Sequence, residues 1–219
     1  MKTDNTVNDI AIYGAGGYGR EVACLINAIN RVSPAWNIIG FFDDGSPIGQ
    51  KNEYGEILGG LPELNRYSEK LYVVMAIASP KMLKNIVEQI TNPFIDFPNI
   101  IAPDVLFLDK TNLSLGKGNV IGFHSAVSCN IQMGNFNRMN TNVFLGHDVS
   151  MGNYNMFNPS VRISGEVSIG DCNFFGVSSI VLQQKNIGNH VTVGTNSVIV
   201  KKTKNNTTYI GNPAVELKY

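Results

Sequence analysis

The sequence holds three histidines, the side-chain type whose ordinary titration range lies closest to neutrality. His147 is followed directly by Asp148, whereas His124, in IGFHSAV, and His190, in GNHVTVG, have no acid beside them. An imidazole backed by a carboxylate can take a proton from an attacking nucleophile, the acid orienting the ring and strengthening the base. Neighbouring residues of a strand point to opposite faces, however. His147 and Asp148 can therefore cooperate only if the backbone turns between them or a second subunit intervenes. On the residues alone, a structural histidine stays as open at 147 as a catalytic one, and His124 and His190 read more simply as structural.

A second cluster is built from glycine. The apolar run Ile10–Tyr13 is followed by Gly14, Gly16, Gly17 and Gly19, then by helix-forming residues from Arg20 to Ile29. Such a strand, turn and helix lets the backbone approach a phosphate-bearing ligand at a helix N-terminus. Asp43 and Asp44 close a second apolar run, IIGFFDD, so the spacing also matches the dinucleotide fingerprint. A turn that simply requires glycine would leave the same residues. The ~100 residues before the second half accommodate one mononucleotide unit, not the two halves of a full dinucleotide fold, and no hydride-transfer domain follows.

These residues need elements to hold them. YVVMAIASP reads as a third strand and KMLKNIVEQI as a second helix, and strand–helix alternation predicts a parallel sheet. The prolines of FPNIIAPD break the pattern, dividing the chain into 1–105 and 106–219. Beyond the break, stepping by six from Leu115 to Ile199 meets fifteen apolar residues without an exception, and a small residue usually follows each. Six is a multiple of the strand period and fits no helix. The pattern predicts a parallel β-helix in which one apolar side chain per hexad points inward and glycine or asparagine takes the corner, where a positive φ is cheap. An antiparallel sandwich would not keep that phase.

Composition narrows the classes. Lysine plus arginine and aspartate plus glutamate number 17 each, so the formal charge is zero and gives no electrostatic reason to expect nucleic acid or an anionic membrane surface. Charged residues make up 16%, against about 25% in ordinary soluble domains. The deficit is local: between Leu115 and Val200 the charged residues are Lys117, Arg138, Asp148, Arg162, Glu166, Asp171 and Lys185. Three widely spaced cysteines argue against a disulfide framework. A zinc centre like that of γ-carbonic anhydrases needs three close histidines, which the spacing here does not supply. No apolar run suits a membrane span, and MKTDNTVNDI lacks the apolar stretch of a signal peptide, so a cytoplasmic protein is expected.

Five features, GAGGYGR, FFDD, MNTNVFLGHDVSMGN, the hexads and the terminal IGNPA, together resemble bacterial nucleotide-sugar N-acetyltransferases of the sialic-acid O-acetyltransferase type, within the hexapeptide-repeat acyltransferase superfamily. The resemblance spans essentially the whole chain. It implies an α/β, Rossmann-like βαβαβ unit followed by a left-handed parallel β-helix of nearly five coils, assembled as a homotrimer with active sites between subunits. The implied reaction is acetyl-CoA-dependent acetylation of the 4-amino group of a UDP-, dTDP- or GDP-linked amino-deoxysugar, without a metal. O-acetylation of sialic acid or another hydroxyl is the alternative, and a non-catalytic nucleotide-sugar sensor a further one.

By the same resemblance His147 is the general base and Asp148 its partner. Gly14, Gly16, Gly17, Asp43 and Asp44 contact the nucleotide, and Tyr18 stands where many members carry histidine. Asn140 meets the amino sugar, and the Gly165 N–H holds the acetyl carbonyl. Met156 replaces a second histidine near the acetyl group. Val177 and Ser178 lie along the pantetheine arm, and Gly194, Thr195 and Pro213 along the CoA tail. Lys201, Lys202 and Lys204 read as a solvated charge run rather than as contacts to the CoA phosphates.

Overall fold

The structure, a computed structural model, describes residues 7–217. It forms two compact units, one of residues up to 78 with 82–103, the other of 79–81 with 104 onward.

The first unit is built on β1 (Asn8–Tyr13), α1 (Gly17–Val32), β2 (Trp36–Phe42), β3 (Lys51–Asn52), β4 (Gly55–Gly59), α2 (Leu61–Arg66), β5 (Leu71–Met75), α3 (Pro80–Gln89) and β6 (Ile95–Asp96). Its sheet runs β3-β4-β2-β1-β5-β6, parallel except for β3. Ile10 to Tyr13 are buried to 1% or less, as the central strand of a sheet covered on both faces requires. Helix α1 buries Gly19, Val22, Ala23, Leu25 and Ile26, the stripe of a helix lying on a sheet. The strand order reverses at β1, between β2 and β5, and the glycine turn sits at its carboxyl end, where open parallel sheets take ligands. The third strand expected from the sequence, β5, ends at Met75, earlier than its apolar run suggested; the Ala76 N–H makes the last bond to β1, to the Tyr13 carbonyl at 2.7 Å. Four short elements, β3, β4, α2 and β6, carry too little periodicity to be seen beforehand.

The second unit is a parallel β-solenoid, left-handed, wound on three faces. Strands 106–107, 126–127, 144–145, 162–163, 180–181 and 198–199 stack on the first face; 113–115, 131–133, 150–151, 168–169 and 186–187 form the second. The third includes 120–121, 138–139, 156–157, 174–175, 192–193 and 208–211, the last closed by an antiparallel partner at 214–216. Register advances by one coil of eighteen residues, as in Ala126↔Phe144↔Arg162↔Ile180↔Val198. The first face also takes in Leu106, which pairs with Ala126 twenty residues on. That two-residue offset breaks the hexad phase and hid this coil from a count begun at Leu115. Of the fifteen hexad residues all but Leu115 are buried, and Phe157 and Phe175 stack inside at 4.7 Å between centroids.

The corners differ from expectation. Positive φ recurs at every sixth residue from His124 to Asn196, and none of these thirteen positions is glycine: Phe136, Tyr154, Glu166 and Gln184 are among them. Each such residue costs roughly 1–2 kcal/mol, and from Phe136 onward each is held by an N–H bond to the preceding coil, as Glu166 is to the His147 carbonyl at 2.8 Å and Gln184 to the Gly165 carbonyl at 3.0 Å. The glycines after the apolar residues answer to crowding instead. A Cβ on Gly116 would lie 2.6 Å from the Gly134 carbonyl oxygen.

Asparagine has its own place. Asn119, Asn137, Asn155 and Asn173 are buried to 1% or less in one column. Each Oδ1 accepts the backbone N–H one coil on, at 2.7–3.0 Å, and the Nδ2 of the first three donates to the carbonyls of Gly134, Gly152 and Gly170. A carboxylate or ammonium in such a column would be desolvated without a counter-charge. The low charge of this half follows.

Candidate active site

In the first unit, Gly14 takes φ +106°, and a Cβ there would lie 2.7 Å from the Ala76 carbonyl oxygen. Gly19 passes so close to Gly14 that its Cβ would lie 1.9 Å from the Gly14 oxygen. These two glycines shape the turn. Gly16 and Gly17, exposed at the start of α1, have open space where a Cβ would stand. Asp43 fastens the turn to the end of β2: its Oδ2 accepts the Ala15 N–H at 2.7 Å, and its Oδ1 accepts the Gly45 N–H at 2.9 Å. Asp44 accepts the Tyr13 hydroxyl and, at 2.8 Å, the Leu61 N–H at the head of α2. Burial first, and then Asp44, push the Tyr13 hydroxyl well above its ordinary range. Tyr18 is half-buried beside the turn.

In the solenoid, the strand 144–145 ends as the Gly146 N–H bonds the Ile163 carbonyl, and the chain turns at Asp148, φ +58°. That positive φ swings the Asp148 carboxylate back to its neighbour, so the pair meets within one chain. His147 Nδ1 and Asp148 Oδ2 lie 2.7 Å apart, with both side chains just under half exposed. With Nδ1 donating to the carboxylate, Nε2 carries the lone pair. Asn130, one coil earlier, donates to Asp148 Oδ1 at 2.5 Å. Asn130 and then His147 hold the Asp148 carboxyl below its ordinary range.

The imidazole lies over Gly165, one coil on, where a Cβ would stand 2.4 Å from Nε2 and 2.6 Å from Cε1. Only glycine leaves room for the ring. The Gly165 carbonyl accepts from Gln184, while its N–H has no partner in the coil-to-coil ladder among the described residues.

The other expected solenoid residues lie elsewhere. Asn140 follows the strand 138–139, with its N–H on the Phe157 carbonyl and its Oδ1 accepting the Thr141 N–H at 2.7 Å. It belongs to the edge between the third and first faces. Val177, exposed, Ser178, with positive φ, and Gly194 and Thr195 continue that edge in later coils. Met156 is only 6% exposed, between Arg138 and Phe174 in register. Pro213 follows a cis peptide bond in the terminal hairpin. Thus one chain gathers His147, Asp148 and Gly165 on one edge and Asn140, Val177, Ser178, Gly194 and Thr195 on another, with the first face between them.

Comparison with known proteins bears on the fold. Residues 9–90 match the family model of the PglD N-terminal domain. The acetyltransferase domain of PglB from Neisseria gonorrhoeae FA1090, solved with acetyl coenzyme A, superposes with a TM-score of 0.87 at 26% identity, covering 97% of this chain and 100% of that one. The first unit thus matches the PglD N-terminal domain, and the chain over nearly its whole length has the fold of a left-handed β-helix acetyltransferase. Two further structures share this acetyltransferase fold. WeeI from Acinetobacter baumannii AYE superposes with a TM-score of 0.85 at 24% identity, covering 97% of this chain and 100% of its own. A mutant perosamine N-acetyltransferase from Caulobacter crescentus, solved with CoA and GDP-perosamine, gives 0.84 at 20%, covering 98% and 99%. No protein of curated function matches the sequence.

Some neighbours of these residues went unseen in the sequence. His124 has a carboxylate after all: its Nδ1 lies 2.7 Å from Asp104 Oδ2, and its backbone N–H meets the same oxygen at 3.0 Å. Asp104 is twenty residues upstream and comes alongside only through the offset coil. Counting eighteen from His147 and Asp148 would have found Cys129 and Asn130 before them, and Gly165, Glu166, Gln183 and Gln184 after. His190 is an exposed corner residue whose N–H bonds the Asp171 carbonyl at 2.9 Å. Among the described residues no group of three or more His, Cys, Asp or Glu could hold a metal ion, and no helix is long and apolar enough to cross a membrane.

Proposed function

We propose that the protein transfers an acetyl group from acetyl-CoA to the 4-amino group of a nucleotide-linked amino-deoxysugar. The observation that carries this is the His147–Asp148 pair at 2.7 Å, with Nε2 set over the Gly165 backbone. Nε2 accepts a proton from the sugar amine as its nitrogen attacks the thioester carbonyl. The C–N bond forms, and the Gly165 N–H meets the oxyanion. Collapse breaks the C–S bond, and His147 returns the proton to the leaving CoA thiolate. Asp148, kept ionised by Asn130, fixes the tautomer and stabilises the imidazolium.

The nucleotide is assigned to the turn of Gly14, Gly16, Gly17 and Tyr18 with Asp43 and Asp44. Asn140 is assigned to the amino sugar, and Met156, Val177, Ser178, Gly194, Thr195 and Pro213 to acetyl-CoA. Solved neighbours that hold acetyl coenzyme A, or CoA with GDP-perosamine, support these two ligand classes. Because the two residue groups occupy different edges, the proposal includes a homotrimer whose neighbouring subunits complete each site. The outward residues of the first face, Leu106, Ala126, Phe144, Ile180 and Val198, are apolar apart from Arg162, as a subunit contact requires.

Thiol release from acetyl-CoA should follow addition of at least one UDP-, dTDP- or GDP-linked 4-amino sugar. Inertness toward all three overturns the proposal, and turnover of a free hydroxyl sugar would point to O-acetylation. His147→Ala should slow turnover by ~10²–10⁴; a loss below tenfold removes His147 from the role of base.

A further inference from the structure

Glu166 occupies the same corner as Asp148 one coil later, with φ +57° against +58°. Its N–H donates to the His147 carbonyl at 2.8 Å, so it is tied to the residue that bears the imidazole. Its carboxylate is gripped from the following coil: Gln183 Nε2 donates to Oε1 at 2.9 Å and Gln184 Nε2 to Oε2 at 3.0 Å. Gln184 and then Gln183 hold its carboxyl below the ordinary range, and the His147 and Asp148 charges both reach it. Along this edge the column reads Asn130, Asp148, Glu166, Gln184: an amide, two acids, an amide.

Carboxamides orient carboxylates but leave their charge uncancelled. Among the described residues no lysine or arginine lies within ion-pair distance of either acid, and the single cationic partner is His147, when protonated. Two like charges on adjacent coils, roughly 4.8 Å apart along the ladder, oppose folding. The solenoid otherwise sheds charge, yet two of its three carboxylates between Leu115 and Val200 stand side by side here. Such a pair would be well matched by a cation delivered from outside.

We infer that Glu166 is a specificity-determining residue which, with Asp148, receives the acceptor as an alkylammonium and so selects an amine over a hydroxyl. This rests on the function proposed above and sharpens it. The captured ammonium gives one proton to solvent before His147 takes the second during attack. A neutral hydroxyl would meet two carboxylates already satisfied by amides and gain little.

The test compares wild type, Glu166→Gln and Glu166→Asp on the amino-sugar nucleotide that wild type turns over and on its 4-hydroxyl analogue as inhibitor. Glu166→Gln should raise KM for the amine about five- to tenfold, leave KM for acetyl-CoA unchanged and alter kcat less than KM. Glu166→Asp, which keeps the charge, should recover most of the loss. In wild type itself, the amine should bind at least about fivefold more tightly than the hydroxyl analogue, a measurement that stands even if a variant misfolds. Equal binding of the two, an unchanged KM in Glu166→Gln, or an Asp variant as impaired as the Gln one overturns the assignment. Wild type inert on every amino sugar overturns the proposed function and this inference together; wild type active with Glu166→Gln unaffected overturns only the role of Glu166.

Discussion

At the scale of single residues, the site depends on what is missing at position 165. Nearest-atom distances of 2.4 and 2.6 Å from a would-be Cβ to His147 Nε2 and Cε1 leave no room for even a methyl group. Gly165→Ala should therefore push the ring off Asp148 or out of line with the acceptor. We expect about a 10²-fold fall in kcat, with thermal unfolding shifted far less, since the imidazole is half-exposed and can swing into solvent. Comparing rates and melting curves on one preparation checks this; a variant with undiminished kcat would mean that the ring is not held here during turnover. Adjacency made His147 and Asp148 legible in the sequence. The positive φ that makes them partners was not, because it falls on an aspartate within a corner series that also accepts Phe136 and Glu166.

At the scale of elements, the hexads were legible because one inward side chain per strand must be apolar, and fourteen of fifteen are buried. What escaped reading was everything set by register. His124 and Asp104, or Asp148 and Glu166, are brought together by stacking coils, and no local pattern records how far apart in sequence two stacked corners lie. The buried asparagine column is the element most exposed to substitution. Asn155 bonds Asn137, Asn173 and the Gly170 carbonyl at 2.9–3.0 Å with no access to solvent. Asn155→Leu orphans these groups, and each costs about 1–3 kcal/mol. We expect a net loss of about 2–4 kcal/mol in denaturant unfolding, with the midpoint reduced. A loss below about 0.5 kcal/mol, the level of an ordinary surface change, would show that the column is packing rather than hydrogen bonding.

At the scale of the whole molecule, the first face is the surface to test. Phe144 stands outward on it, 37% exposed, with Leu106 at 59%. Phe144→Glu should convert the proposed trimer to monomer in sedimentation and abolish turnover, while leaving the inward partner Leu145 and the far-UV circular dichroism unchanged. A trimer that survives would place the subunit contact elsewhere. Because chemistry is laid out in columns eighteen residues apart, the solenoid tolerates changes of length only in particular quanta. A six-residue insertion between Asp148 and Gly165 would preserve every buried methyl and yet carry Gly165 and Glu166 round to a different corner, away from the imidazole. An eighteen-residue insertion would restore their corner but leave them a coil too far. Lengthening before Asn130 or beyond Gln184 in whole coils would spare these contacts, so the fold can grow as a ruler grows, by complete divisions, with its proposed catalytic mark untouched.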